Sequence, residues 1–224
     1  MPGLRAVVFD AYGTLLDVHA AVKRHAARLG PDAAAISALW RQKQLEYSWI
    51  LSAAGGYEPF DALTDRALGF ALAAYNIDDA VLRGDLLAAY RRLDAFPDAS
   101  VALESLRGTG LGTAVLSNGE PAMLHAALAH AALTPLLDQV LSVDPLRRYK
   151  PDPAVYRLAC DAFACQPDEI AFVSANAWDA YGAARFGFRV FWLDRGRAQV
   201  EYRLESLARA RLRTLSHLPS MLAG

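Results

Sequence analysis

Lysine is nearly missing from this chain. Of its 23 cationic residues only Lys23, Lys43 and Lys150 are lysines, and every other is arginine. Where arginine is the default cation, a lysine marks a place where a compact point charge matters. Lys150, between Tyr149 and Pro151, has the most suggestive setting of the three. Cysteine is as scarce. Cys160 and Cys165 lie five apart in an expected helix and so point to different faces, a geometry that disfavours a disulfide between them and makes packing thiols the expectation. The five histidines have no metal-ligand spacing. No apolar run is long enough to span a bilayer, and the chain enters a strand without the basic start and small-residue cleavage site of a signal peptide. A cytoplasmic protein is expected. The net charge of −1 provides no basic field for nucleic acid or an anionic membrane. The arginine-rich stretch from Arg195 to Arg213 is interleaved with Glu201 and Glu205 and reads as a solvated helix face.

What is present is a soluble-protein composition, 54% hydrophobic and 21% charged over 224 residues, enough for one good core and a smaller accessory lobe. The organising stretch is Val7-Val8-Phe9-Asp10-Ala11-Tyr12-Gly13-Thr14. Three apolar residues in succession read as a strand buried on both faces. That strand delivers the carboxylate of Asp10 at its end, Gly13 permits a tight reversal, and Thr14 is left near enough to bond the carboxylate. A capping role for Asp10 is the simpler alternative if the stretch is taken alone.

Residues 18–93 read as helical throughout. Val18 to Leu29 forms one helix, and Asp32 is a candidate N-cap for the next. There Ile36, Trp40, Tyr47, Ile50 and Ala54 form one apolar stripe, while Arg41, Leu45 and Trp49 recur at i, i+4, i+8 on another face. Leu63 to Tyr75 and Val81 to Leu93 are two more amphipathic helices. Beyond Phe96-Pro97-Asp98, strands alternate with helices. Strands are expected at Thr113–Leu116, near Gln139–Ser142, at Ile170–Val173 and at Phe188–Leu193, with helices opened by Pro121 and Pro153. Such alternation predicts a doubly wound parallel α/β sheet with a Rossmann-like core. In sheets of this kind ligands bind at the carboxyl ends of the strands. Asp10, Ser117-Asn118, Lys150 and the turn Ser174–Asp179 all fall at that edge, and their convergence is the strongest functional signal in the chain.

These segments resemble the four motifs of the haloacid dehalogenase superfamily, and within it most closely those of the L-2-haloacid dehalogenases. They are Phe9-Asp10-Ala11-Tyr12-Gly13-Thr14, Leu116-Ser117-Asn118-Gly119, Tyr149-Lys150-Pro151 and Ser174-Ala175-Asn176-Ala177-Trp178-Asp179. The resemblance implies a core of residues 1–16 and 96–224, a helical cap of residues 17–95, and attack by Asp10 on C2 of a 2-haloalkanoate. It assigns Thr14, Ser174, Asn176 and Asp179 to orienting Asp10, Lys150 and the hydrolytic water. Ser117, with Asn118, would hold the substrate carboxylate, and Arg41, Asn118 and Trp178 would cradle the halide. Ala11, Tyr12, Gln42, Leu45, Phe60 and Trp178 would line the substrate, with Tyr156 behind. The implied partners are a 2-haloacid and a halide ion, with no cofactor or metal, in a homodimer.

The chemistry points the same way. Superfamily phosphatases resemble Asp-x-Asp, whose second carboxyl protonates an alkoxide leaving group, whereas here that position is Tyr12. A halide leaves without a proton and needs no such acid. Four residues before Asp179, where the phosphatases carry an acidic magnesium ligand, stands Ala175. A magnesium-dependent phosphatase or phosphonatase using Asp10, and a non-catalytic binding module, are the rival readings.

Overall fold

The computed structural model describes residues 3–196 and 198–222. Six parallel strands form its sheet: β1 (Ala6–Phe9), β2 (Gly112–Ser117), β3 (Gln139–Ser142), β4 (Ile170–Ser174), β5 (Arg189–Leu193) and β6 (Ala210–Leu212), in the order β3-β2-β1-β4-β5-β6. This is the doubly wound order expected from alternation of strand and helix. β1 lies between β2 and β4, at the switch in strand order, and is wholly buried. Its Phe9 is level with Val115 of β2 and Val173 of β4. The next residues along the three strands are Asp10, Leu116 and Ser174, with Ser117 one step beyond Leu116, so the polar ends of three strands arrive within one residue of the same level.

The segment between β1 and the helix α6 (Pro97–Leu106) is entirely helical: α1 (Ala20–Arg24), α2 (Ala26–Leu29), α3 (Ala33–Ala53), α4 (Phe60–Ala74) and α5 (Ala80–Tyr90). It leaves and rejoins the sheet through a narrow neck. Asp17 N–H donates to Asp94 O at 2.8 Å, and Phe96 N–H donates to Leu15 O at 2.9 Å. The helices α7 (Pro121–His130), α8 (Pro153–Phe163) and α9 (Ala177–Phe186) follow β2, β3 and β4 and start at the carboxyl edge of the sheet. Two tyrosines tie the helical segment to the core beside that edge. Tyr149 O–H donates to Glu58 O at 2.6 Å, and Tyr57 O–H donates to Asp144.

Three expectations need correction. The helix expected over Val18–Leu29 is two short ones broken at His25, and Asp32 precedes α3 without a side-chain cap bond. On α3 the buried row runs through Ile36, Trp40, Gln44 and Ser48, while Ile50 is 64% exposed. Gln44 can occupy the core-facing row because three partners satisfy its amide, as described below. The third correction concerns Arg195 to Arg213. Among its described residues the one helix is α10 (Leu204–Leu207), and β6 adds a sixth strand. Arg211 and Arg213 alternate around buried Leu212 and pair with Asp194. That spacing of two is a strand pattern, with the charges anchored instead of solvated. A short helix, α11 (Leu218–Leu222), packs against α6.

Candidate active site

Asp10 leaves β1 with its backbone N–H donating to Val173 O at 2.9 Å, so the carboxylate is fixed by the sheet before its side chain makes any contact. Gly13 takes a positive φ of 92° in the reversal that follows, a conformation that a side chain would resist. The turn brings Thr14 back beneath the strand end, where its hydroxyl donates to Asp10 Oδ2 at 2.9 Å. The same hydroxyl accepts from Ala175 N–H at 2.8 Å, so its proton can point only toward the carboxylate. Asn176 donates to Asp10 Oδ2 at 2.7 Å and to Tyr12 O at 3.0 Å. Ser174 makes no bond to Asp10. Its Oγ accepts from Asn176 N–H at 3.1 Å and braces the turn that aims Asn176.

Lys150 reaches the site from the loop after β3 and is 1% exposed. Its ammonium donates to Asp10 Oδ1 at 3.1 Å and to Asp179 Oδ2 at 2.8 Å. Asp179, fully buried on α9, accepts from Tyr156 O–H at 2.8 Å through its other oxygen. One cation thus stands between two buried carboxylates. Burial opposes the lysine's charge, but Asp10 and Asp179 together outweigh it and hold its pKa above the ordinary value. Burial pushes Asp179 up to about 6 despite the nearby ammonium, with the charge of Asp10 adding to the rise. Both oxygens of Asp179 are thus taken, and the residue holds Lys150 without lining the cavity.

The cavity over Asp10 is lined by Asp10, Tyr12, Arg41, Leu45, Phe60, Ser117, Asn118, Lys150 and Trp178. Its volume of about 10 Å³ is that of a single water site, so admitting anything larger requires the walls to part. Asn118 Oδ1 accepts from Lys150 N–H at 3.0 Å, which leaves the amide nitrogen of Asn118 as its free donor. Arg41 comes from α3. One of its nitrogens donates to Gln44 Oε1 at 2.7 Å and another to Tyr12 O at 3.3 Å. Gln42 is exposed and does not line the cavity, against expectation. The glutamine that matters is Gln44 on the buried row. It donates to Thr64 Oγ1 at 2.6 Å and accepts from Tyr90 O–H at 3.1 Å. Trp178 meets Trp49 edge to face at 5.3 Å between ring centres.

Sequence reasoning missed Gln44, Thr64 and Tyr90, which aim Arg41, and it missed Arg195. The guanidinium of Arg195 grips Asp98 by two bonds of 2.8 Å and donates to Thr14 O at 3.0 Å, bracing the turn below Asp10 from behind. A polar residue at i+3 from Arg41 on a helix was the one available signal for Gln44. Ala11 is buried and accepts the backbone N–H of Leu15 at 2.9 Å, closing the turn after Asp10.

Comparison with known proteins places this arrangement among relatives. The family model described as haloacid dehalogenase-like hydrolase matches residues 4–187. The chain is 48% identical to (S)-2-haloacid dehalogenase 4A of Burkholderia cepacia over 98% of its own length and 95% of that protein's. A dehalogenase crystallised with an intermediate complex superposes with a TM-score of 0.96 at 47% identity, covering 100% of this chain and 99% of the other. The L-2-haloacid dehalogenase of Xanthobacter autotrophicus with chloropropionic acid covalently bound gives a TM-score of 0.87 at 35% identity, with 99% of each chain covered.

Proposed function

Since this chain belongs to the haloacid dehalogenase-like hydrolases, we propose that it is an (S)-2-haloacid dehalogenase that hydrolyses short L-2-haloalkanoates to 2-hydroxy acids through an ester on Asp10. The observation that carries this is the asymmetry of the Asp10 carboxylate. Its Oδ2 is pinned by two donors, Thr14 and Asn176, while Oδ1 has the Lys150 ammonium alone. The less encumbered Oδ1 is the attacking atom.

In the first step Oδ1 forms a bond to C2 as the carbon–halogen bond breaks, with the halide leaving with the bonding pair and C2 inverted. Arg41, the amide nitrogen of Asn118 and the edge of Trp178 receive the halide. In the second step water adds to the carboxyl carbon of Asp10 and the carboxyl-to-oxygen bond of the ester breaks. One water proton ends on the product hydroxyl, the other is released, and Asp10 is restored with one oxygen from water. Lys150 holds the carboxylate through its bond to Oδ1, and Asp179 and Tyr156 hold Lys150 in place. Residues 17–95 act as the cap that parts from the core (1–16 and 96–224) to admit substrate. Phe60 and Leu45 wall the alkyl group.

A magnesium-dependent phosphatase fits these residues poorly. Ala175 has no carboxylate to offer a magnesium ion, and Tyr12 stands where the phosphatases carry the acid for their leaving group. Among the described residues no group of three or more His, Cys, Asp or Glu side chains could hold a metal ion. The enzyme works as a homodimer in the cytoplasm. Ile50, Phe70 and Val81, exposed on the helical segment, offer apolar surface to a second copy, and free Cys160 and Cys165 suit a reducing compartment.

Halide release from L-2-chloropropionate, none from the D enantiomer, and no change with EDTA are the expected results of a direct assay. Phosphate release from p-nitrophenyl phosphate that EDTA abolishes would instead support the rival. A second expectation concerns pH. Asp179 must be ionised to hold Lys150, so kcat/KM should rise as pH increases through about 6. The Tyr156 hydrogen bond favours the ionised form of Asp179. Tyr156→Phe should therefore move the acid limb to higher pH, and an unmoved limb would remove Asp179 as its source.

A further inference from the structure

The phenol of Tyr12 is out of place as an apolar wall. The side chain is 2% exposed, it lines the cavity over Asp10, and its hydroxyl has no hydrogen-bond partner. Leaving a buried hydroxyl unpaired costs roughly 1–3 kcal/mol, so a phenol kept there calls for an acceptor that arrives from the cavity. The ring cannot turn away to find one elsewhere. It stacks on Tyr90 at 5.7 Å with an interplanar angle of 10°, and Phe60 leans on it at 6.4 Å. On the other side it presses on Gly119 so closely that a Cβ there would lie 2.9 Å from Tyr12 Cε2 and 3.1 Å from the phenol oxygen.

That same hypothetical Cβ would lie 3.4 Å from Ser117 Oγ, so the two hydroxyls flank one point. Ser117 Oγ accepts from Gly119 N–H at 3.0 Å, an arrangement that leaves its own proton for another acceptor. Pro121 opens α7 just beyond, adding the positive end of a ten-residue helix dipole. Arg41, assigned above to the halide, lines the same cavity. Two hydroxyl donors and a helix N-terminus describe a site for an anion with more than one acceptor oxygen.

We propose that the Tyr12 hydroxyl donates a hydrogen bond to the substrate's carboxylate, forming with Ser117 a two-hydroxyl clamp that orients C2 toward Asp10 Oδ1. This rests on the dehalogenase reading given above. Burial, with the charges of Glu120 and Asp10 nearby, holds the phenol's pKa well above its ordinary value, so the proton it would donate is retained at working pH. Gly119 is required because any side chain at that position would displace the ring.

The test compares wild type with Tyr12→Phe, which keeps the ring and its stacking. Calorimetric titration with propionate reads carboxylate binding without turnover, and titration with bromide reads the halide side. Propionate affinity should fall about 10- to 100-fold, the scale of a hydrogen bond to a charged group, while bromide affinity stays within about twofold. For L-2-chloropropionate, KM should rise far more than kcat falls. Gly119→Ala, which pushes the ring aside, should show the same selective loss. Unchanged propionate affinity, equal weakening of both ligands, or a collapse of kcat at constant KM would each overturn the clamp. Because propionate binding is read without turnover, a wild-type protein that releases no halide would refute the dehalogenase reading and leave the clamp to be judged separately.

Discussion

Lys150→Met should abolish halide release and destabilise the fold by roughly 3–5 kcal/mol at neutral pH, the usual penalty for removing one member of a buried charge cluster. The lysine is the common counter-ion of Asp10 and Asp179, and all three are buried. Methionine fills the space but leaves two carboxylates facing each other. The pH dependence separates this from simple loss of packing. Asp179 already titrates at about 6 in the folded state, above its unfolded value. Its contribution to stability is therefore fully present below the ordinary carboxylate range and is lost as pH rises through about 6. Without the ammonium its pKa must rise further, so the variant's deficit should shrink on moving from pH 7.5 to pH 5. Urea unfolding at both values measures this. A deficit that is unchanged or larger at pH 5 would mean that the lysine's charge is not what the fold depends on. Lys150→Arg should not restore activity, because a planar fork cannot replace a point charge in a slot this enclosed.

Asp10→Asn should lower kcat by about four orders of magnitude or more, the scale seen when an attacking group is removed from a covalent enzyme. The substitution is nearly isosteric, and Lys150 keeps its bond to Asp179. Stability should therefore change much less than in Lys150→Met. That contrast matters, since a large loss of activity with little loss of stability identifies a group used for chemistry. Propionate should still bind, because neither Ser117 nor Tyr12 depends on Asp10 for its position. Retention of more than about a hundredth of the wild-type kcat would mean that Asp10 is not the group that attacks carbon.

Much of this site was legible in the chain because parallel sheets collect the ends of their strands. Val7-Val8-Phe9 announces a buried strand, and whatever follows it must lie at the carboxyl edge. The same holds for Ser117-Asn118 and for Ser174 to Asp179, so separate polar clusters could be assigned to one place before their contacts were known. The residues that could not be read are those whose meaning depends on packing across the chain. Gln44 matters because Thr64 and Tyr90, 20 and 46 residues away, meet it. Arg195 braces Thr14 across 181 residues. Arg195 has no local pattern that sets it apart, and Gln44 has only its place three residues after Arg41. Gln42 shows the converse error, in which a motif position suggested a contact that the helix turns toward solvent. The arginines around Leu212 were misread for a different reason. Net composition along the stretch suggested a solvated helix, whereas their spacing of two already described a strand.

The covalent role of Asp10 turns on which bond the water enters. A single turnover of excess enzyme with L-2-chloropropionate in heavy-oxygen water tests it directly. If Asp10 forms the ester and water adds to its carboxyl carbon, the first product carries ordinary oxygen and the label appears in Asp10, located by mass spectrometry of the peptide that contains it. Labelled product in that first turnover, with Asp10 unlabelled, would mean that water attacks C2 itself, and the covalent role given to Asp10 would be wrong.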